Sequence, residues 1–269
     1  MTDFGEKSGY VGVMKGVIYS IAPSVLTVDL SHLITPQQIR EGAFVLNNCY
    51  RYFPAETVHL AVVDPGVGTA RRAICLRVPG AGYFVGPDNG LFSYIIAEHA
   101  GFEAREITNP AFMRPEISRT FHGRDVFAPT AAHLVEGSAF EEIGPLLETN
   151  SLDTLEGLNP LWQSLPGGSS QLIGHVVHVD HFGNLITDLP ESLFEKLSPA
   201  QMQNVLVEVG SFYTLKGIRR TYGEAEPGQV ISLFGSRGYL EAARVNGRAD
   251  VLDGRPGPSL NEKVLVTVK

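Results

Sequence analysis

Short apolar runs, rich in β-branched residues, alternate with stretches of helical periodicity over the first half of the chain. Residues 25–30 (V-L-T-V-D-L), 57–63 (T-V-H-L-A-V-V), 73–78 and 83–85 predict strands. Thr35-Pro36-Gln37-Gln38 predicts a helix start, with Thr35 as N-cap, Pro36 at the first helical position and Gln38 reaching back as a capping box. Ile39, Ala43 and Leu46 then share a face, and residues 91–99 and 124–135 carry two further helical patterns. Alternation of this kind predicts an α/β domain with a central sheet covered by helices.

The pattern changes at residues 151–170, which are poor in strand signals and close on Pro-Gly-Gly-Ser-Ser; they read as a linker. Beyond it, residues 172–179, 205–209, 230–233 and 264–268 are short strands separated by Gly-rich turns, the texture of a smaller all-β, barrel-like domain. The expected organisation is an α/β domain over 1–165 and a β-barrel domain over 171–269.

Composition narrows the function classes. Apolar residues make up 43% and charged residues 19%, which places the chain among globular proteins. A formal charge of −8 disfavours wrapping a nucleic-acid backbone or lying on an anionic membrane. The opening Met-Thr-Asp-Phe-Gly has neither a basic nor an apolar leader region, and no later apolar run is long enough to span a bilayer, so the expected location is the cytoplasm. Cys49 and Cys75 both sit in apolar surroundings and read as two buried thiols, with no Cys-x-x-Cys or zinc spacing.

Four segments could carry chemistry. Val62-Val63-Asp64-Pro65-Gly66-Val67-Gly68-Thr69-Ala70-Arg71-Arg72 runs a buried strand into a carboxylate, a turn and two guanidinium groups. Open α/β sheets place their chemistry at strand ends of this kind, although a turn-capping Asp with surface arginines fits equally. Phe121-His122-Gly123-Arg124-Asp125 precedes a helix, and offers His122 as a general base or a structural hydrogen-bonder. His178-Val179-Asp180-His181-Phe182-Gly183-Asn184 reads either as a metal-ligand set or as a ligand-binding turn in which Asp180 pairs with a cation, Phe182 stacks and Asn184 bonds a purine edge. Ser236-Arg237 on a Gly-flanked turn suits capture of a carboxylate, or is an ordinary β-turn.

In their order and spacing these segments, with Thr2-Asp3-Phe4-Gly5, Thr35-Pro36, Pro87-Asp88-Asn89-Gly90 and Ser236-Arg237-Gly238-Tyr239-Leu240, resemble the S-adenosylmethionine hydroxide adenosyltransferases, relatives of the fluorinase and chlorinase enzymes. The resemblance covers essentially the whole chain. It implies an N-terminal α/β domain, a C-terminal β-barrel and a homotrimer with sites at subunit interfaces. It implies hydrolysis of S-adenosyl-L-methionine to adenosine and L-methionine with no cofactor and no metal. Carried over by position, Asp64, Arg71 (rather than Arg72) and His122 are the catalytic set. Asp3 holds the ribose hydroxyls, Asp180 the methionine ammonium, and Ser236 and Arg237 its carboxylate. Phe182 and Tyr222 flank the adenine, Asn184 bonds its edge, Asn246 binds it through backbone groups, and Phe121 belongs to the substrate pocket. Family members usually carry an apolar strand before Thr-Asp-Phe-Gly, which here starts at Thr2, so the Asp3 assignment rests on less of the pattern.

Asp64 in the nucleophile loop would repel a halide and can hydrogen-bond water, which favours hydrolysis over halogenation. Two alternatives come from other classes. A metal-dependent hydrolase built on His178, Asp180 and His181 predicts stoichiometric bound metal. A nucleoside-binding module predicts saturable binding without product.

Overall fold

The computed structural model describes residues 1–268, which form two compact units, one over Met1–Glu156 and one from Gly157 onward. Among the described residues no helix is long and apolar enough to cross a membrane.

The N-terminal unit contains α1 (Tyr10–Ile21), α2 (Ile39–Tyr50), β1 (Val58–Leu60), β2 (Ala73–Val78), β3 (Gly82–Pro87), α3 (Ser93–Glu98), β4 (Glu103–Glu106) and α4 (Ala128–Val135). Its mixed sheet has the order β1-β3-β2-β4, with β1 parallel to β3 and β2 antiparallel to both neighbours. Neighbouring residues of β3 face opposite sides of the sheet, as the period of two requires. Val85 joins Cys75, Met14, Val17, Phe127 and Ala131 in a core with α1 and α4, while the ring of Phe84 meets Tyr50 of α2 edge-on.

Three expectations are corrected here. Residues 25–30 form no strand. Between them and β1 lies a mostly apolar cavity of about 400 Å³, lined by both, so no ladder partner is within reach. Helix α2 starts at Ile39 with Gln38 as its cap residue and no side-chain cap bond, because Gln37 adopts φ 68° and breaks the turn that Thr35-Pro36 was expected to open. The capping runs backwards instead: Glu41 in the first turn accepts the Thr35 N–H at 2.8 Å. Finally, only Cys75 is buried; Cys49 is half-buried on α2.

The C-terminal unit contains β5 (Gln163–Ser164), β6 (Ser170–Val179), β7 (Leu185–Pro190), α5 (Pro199–Asn204), β8 (Leu206–Val209), β9 (Tyr213–Lys216), β10 (Ile218–Arg219), β11 (Val230–Phe234), β12 (Tyr239–Arg244), β13 (Val251–Leu252), β14 (Arg255–Pro256) and β15 (Lys263–Val268). One sheet runs β10-β11-β12-β7-β6-β15-β8-β9, with β5 added to β6. Its two outer strands, β9 and β10, are consecutive in the chain and separated by Gly217 alone. The sheet therefore curls until its edges meet, which gives the nearly closed barrel. Only glycine suits that junction: φ is 74°, and a Cβ would stand 2.7 Å from the Gln203 carbonyl. Leu172, Val176, Leu189, Val207, Leu240 and Val266 fill the interior.

Candidate active site

Asp64 follows the run Ala61-Val62-Val63, all at most 2% exposed, and leaves the end of the N-terminal sheet where Asn89 Nδ2 fixes the backbone by donating to the Val63 carbonyl at 2.9 Å. Arg71 returns across the turn and grips the carboxylate through two bonds, Nε to Oδ1 at 3.1 Å and Nη2 to Oδ2 at 2.5 Å. Both side chains are buried, 7% exposed for Arg71 and 5% for Asp64. The Arg71 guanidinium also lies over the Phe127 ring, 5.3 Å from its centroid. Arg72 turns elsewhere: its Nε donates to Asp88 Oδ2 at 2.9 Å and its other nitrogens reach Ser151. Of the two adjacent arginines, only the first meets Asp64.

His122 joins this pair, its Nδ1 standing 3.1 Å from Arg71 Nη2. A guanidinium has no acceptor, so Nδ1 must accept and the ring proton of the neutral imidazole sits on Nε2. Burial, and then the Arg71 charge, hold the His122 pKa below the usual histidine range, which keeps the ring neutral near pH 7. Burial pushes the Asp64 carboxyl above its ordinary value, against the pull of Arg71. The group is a charged pair in a dry setting beside a neutral imidazole with one N–H to offer.

Two loops meet to make this arrangement, and Gly68 is where they touch. It has φ 77°, and a Cβ there would lie 2.3 Å from the Arg119 carbonyl. A Gly68→Ala variant is expected to lower kcat/KM at least about tenfold by prying the two loops apart; wild-type kcat/KM in the variant would show that the loops tolerate separation.

Beyond Gly68, a π-helical turn over Gly123–Phe127 leads into α4. Asp125 within it is fully buried and accepts from Arg124 Nε (2.6 Å) and Nη2 (2.8 Å) and from the Ser118 amide (2.8 Å); it shapes the loop that carries His122. Phe121 packs edge-on against Phe4 and Tyr10, which ties the loop to the Thr2–Gly5 opening. Asp3 stands beside Phe4 and accepts the Gln37 N–H at 2.8 Å, while Thr2 bridges in parallel to Val62.

The remaining sequence-derived residues lie in the C-terminal unit. Asp180 opens a tight turn: Oδ1 accepts the amides of Phe182 and Asn184, and Oδ2 the Asn184 side chain, each at 2.9 Å. Gly183 (φ 82°) seats this turn against residues 248–250, where a Cβ would meet Asp250 Oδ1 at 2.4 Å. Asn246, at φ 52°, heads the same neighbouring loop. Phe182 is 71% exposed and Tyr222 42% exposed. Ser236 and Arg237 sit at the exposed tip of the β11–β12 hairpin.

One residue of this group escaped the sequence reading. Glu241, 6% exposed in the middle of β12, accepts a short hydrogen bond from the Tyr222 hydroxyl. The sequence signal was a carboxylate inside the apolar run Tyr239-Leu240-Glu241-Ala242-Ala243. Of the metal-ligand reading, Asp180 spends its carboxylate on three N–H groups, and no set of three or more His, Cys, Asp or Glu side chains among the described residues is arranged to hold a metal ion.

Comparison with known proteins supplies a setting for these groups. Residues 1–144 match the SAM hydroxide adenosyltransferase N-terminal domain and residues 174–257 the corresponding C-terminal domain. An (R)-S-adenosyl-L-methionine hydrolase of Salinispora arenicola is 40% identical over 96% of this chain and 94% of its own length. The enzyme of that name from Thermus thermophilus is 38% identical over 93% and 92%. A fluorinase of Nocardia brasiliensis is 29% identical over 91% and 88%. In three dimensions, the crystal structure of an uncharacterized conserved protein from Thermotoga maritima matches with a TM-score of 0.85 at 38% identity, covering 98% of both chains.

Proposed function

The chain belongs to the SAM hydroxide adenosyltransferase family, and on that premise we propose how it works: it is an S-adenosyl-L-methionine hydrolase with Asp64, Arg71 and His122 at the reacting centre. The observation that carries the site assignment is the contact chain from Asp64 through Arg71 to His122, a buried carboxylate, a guanidinium and a neutral imidazole drawn from two loops.

The reaction asks little of an acid, because the leaving sulfonium departs as a neutral thioether. An oxygen of water or hydroxide forms a bond to ribose C5′ while the C5′–S bond breaks; sulfur keeps the electron pair and the water proton is released. Asp64 accepts a hydrogen bond from the attacking water, and its raised pKa makes it a better proton acceptor than an ordinary carboxylate. Arg71 fixes the carboxylate and stabilises negative charge growing on oxygen, and the His122 Nε2–H orients the same water. As hydroxide meets sulfonium the charges neutralise, so a dry setting favours the transition state. A halide at that place would face the Asp64 carboxylate, which supports hydrolysis over halogenation.

Around this centre Asp3 takes the ribose hydroxyls, with Phe121 lining the pocket. Asp180 takes the methionine ammonium, and Ser236 and Arg237 its carboxylate. Phe182 and Tyr222 flank the adenine, Asn184 bonds its edge and Asn246 offers backbone groups. The two residue sets act together at subunit interfaces of a cytoplasmic homotrimer, in an α/β plus β-barrel architecture. The reaction is drawn with neither cofactor nor metal: substrate and water supply the bonding electrons, and Asp64, Arg71 and His122 supply the polar groups.

Two measurements test this. Purified, chelator-treated protein incubated with S-adenosyl-L-methionine is expected to release adenosine and methionine in equal amounts; intact substrate after prolonged incubation would sink the assignment. Phe182→Ala is expected to weaken substrate binding about tenfold, from a stacking contact worth about 1–3 kcal/mol; an unchanged Kd would remove Phe182 from the adenine pocket.

A further inference from the structure

The C-terminal unit holds a buried carboxylate that the chemistry above leaves unused. Glu241 lies under the β11–β12 turn, close enough that a Cβ on Gly235 would stand 2.2 Å from its Oε2. The Tyr222 hydroxyl bonds it, and the charges that act on it are those of the Asp180 carboxylate and the Arg237 guanidinium. Arg248, whose charge Asp180 also feels, is already held by Asp250 through two bonds of 2.9 and 2.7 Å. One guanidinium is thus left to balance two carboxylates. Holding the Tyr222 phenol does not explain the excess, since a neutral glutamine accepts the same hydrogen bond without the cost of burying a charge beside another of the same sign. A cation from outside the protein would balance it. S-Adenosyl-L-methionine brings an ammonium, a sulfonium and a carboxylate, net +1, against the net −1 of Asp180, Glu241 and Arg237. The corresponding thioether brings none.

We propose that Glu241 is a specificity-determining residue: with Asp180 it forms the pair of carboxylates that matches the two cationic centres of the substrate and selects the sulfonium over the thioether. This rests on the substrate reading given under Proposed function. Burial pushes the Glu241 carboxyl up, and Asp180 adds to the push; a bound cation favours the ionised form and draws the proton off.

The test is the ratio of two dissociation constants, for S-adenosyl-L-methionine and for the thioether S-adenosyl-L-homocysteine, measured by calorimetry on wild type and on Glu241→Gln. To bind the substrate without consuming it, both proteins carry Asp64→Asn. Glutamine keeps the shape and the Tyr222 hydrogen bond, so the preference for the sulfonium is expected to fall about tenfold, with the thioether affinity little changed. Equal weakening of both ligands, or of neither, overturns the proposal. Should Glu241→Gln fail to fold, the same ratio is followed on the parent protein as pH falls through the range in which a buried carboxyl protonates; a constant ratio overturns the proposal there. A parent that binds neither ligand, with a wild type that releases no adenosine, refutes the substrate reading instead.

Discussion

Replacing Asp64 by asparagine is expected to lower kcat by about a thousandfold, within the range of about 10²–10⁴ that a positioned proton acceptor contributes. Asparagine is the informative choice. It keeps the size of the side chain and an oxygen to meet Arg71, while removing the charge and the basic lone pairs. The Asp64 side chain is only 5% exposed, so bulk water gives little substitute. Substrate affinity is expected to stay within about threefold of wild type, because the adenosine and methionine contacts proposed above come from other residues and the interaction lost would be one made in the transition state. Single-turnover kinetics with calorimetric Kd separate the two quantities. A normal kcat in Asp64→Asn would remove the carboxylate from the reaction, and an equal loss in Kd and kcat would make it a binding group.

Arg71→Met should damage the protein in two ways at once. It removes the cation that holds Asp64 and leaves a carboxylate buried without its partner, a change that costs about 3–5 kcal/mol of stability when a buried pair is broken. The sign of its pH dependence identifies the cause. In the variant, burial acts on Asp64 with no guanidinium to oppose it, so the folded-state pKa lies above the unfolded value. The neutral acid is then the form the fold prefers. The deficit is therefore smallest below the unfolded pKa of about 4 and grows as pH rises through the folded pKa. Thermal melts of variant and wild type at about pH 4.5 and 7.5 read this directly. A deficit equal at both pH values would mean that the loss comes from the guanidinium's packing on Phe127 and not from Asp64.

Much of the barrel was legible because its strands obey local rules. Val207 and Val209, and Val264, Val266 and Val268, recur at a period of two, Leu172 and Val176 share one face across Gly174, and β6, β8, β11 and β15 fall where such apolar runs put them. β7 and β12 were not, since Asp188 and Glu241 interrupt their apolar faces for reasons that only the folded sheet reveals. Residues 25–30 mark the opposite failure: a strand pattern cannot say whether a partner backbone will be present, and here a cavity takes its place. The start of α2 was missed because a single left-handed residue, Gln37, overrides the capping signal around it. Among the chemical groups, the choice of Arg71 over Arg72 came from family spacing, and the two guanidinium groups turn out to serve different carboxylates, Asp64 and Asp88. Residue spacing along the chain could not show that Gly68 joins one loop to the other, because that contact spans residues 68 and 119.

The place of β15 in the barrel also sets a schedule for biosynthesis. It comes last in chain order among the strands of the described residues, yet it lies inside the sheet, pairing with β6 on one side and β8 on the other. While the ribosome is still decoding the segment before Lys263, the nascent β6 and β8 have synthesised neighbours on one side only. Their inward-facing valines, Val176 and Val207 among them, then lack the Val264 and Val266 side chains that cover them. The N-terminal unit has all four of its strands synthesised once residue 106 is reached, and at about 5–20 residues per second it leads the completed barrel by roughly 10–30 seconds. For that interval the half-made barrel exposes two strand edges to passing chains and chaperones, and a stop codon placed just before β15 would make the exposure permanent.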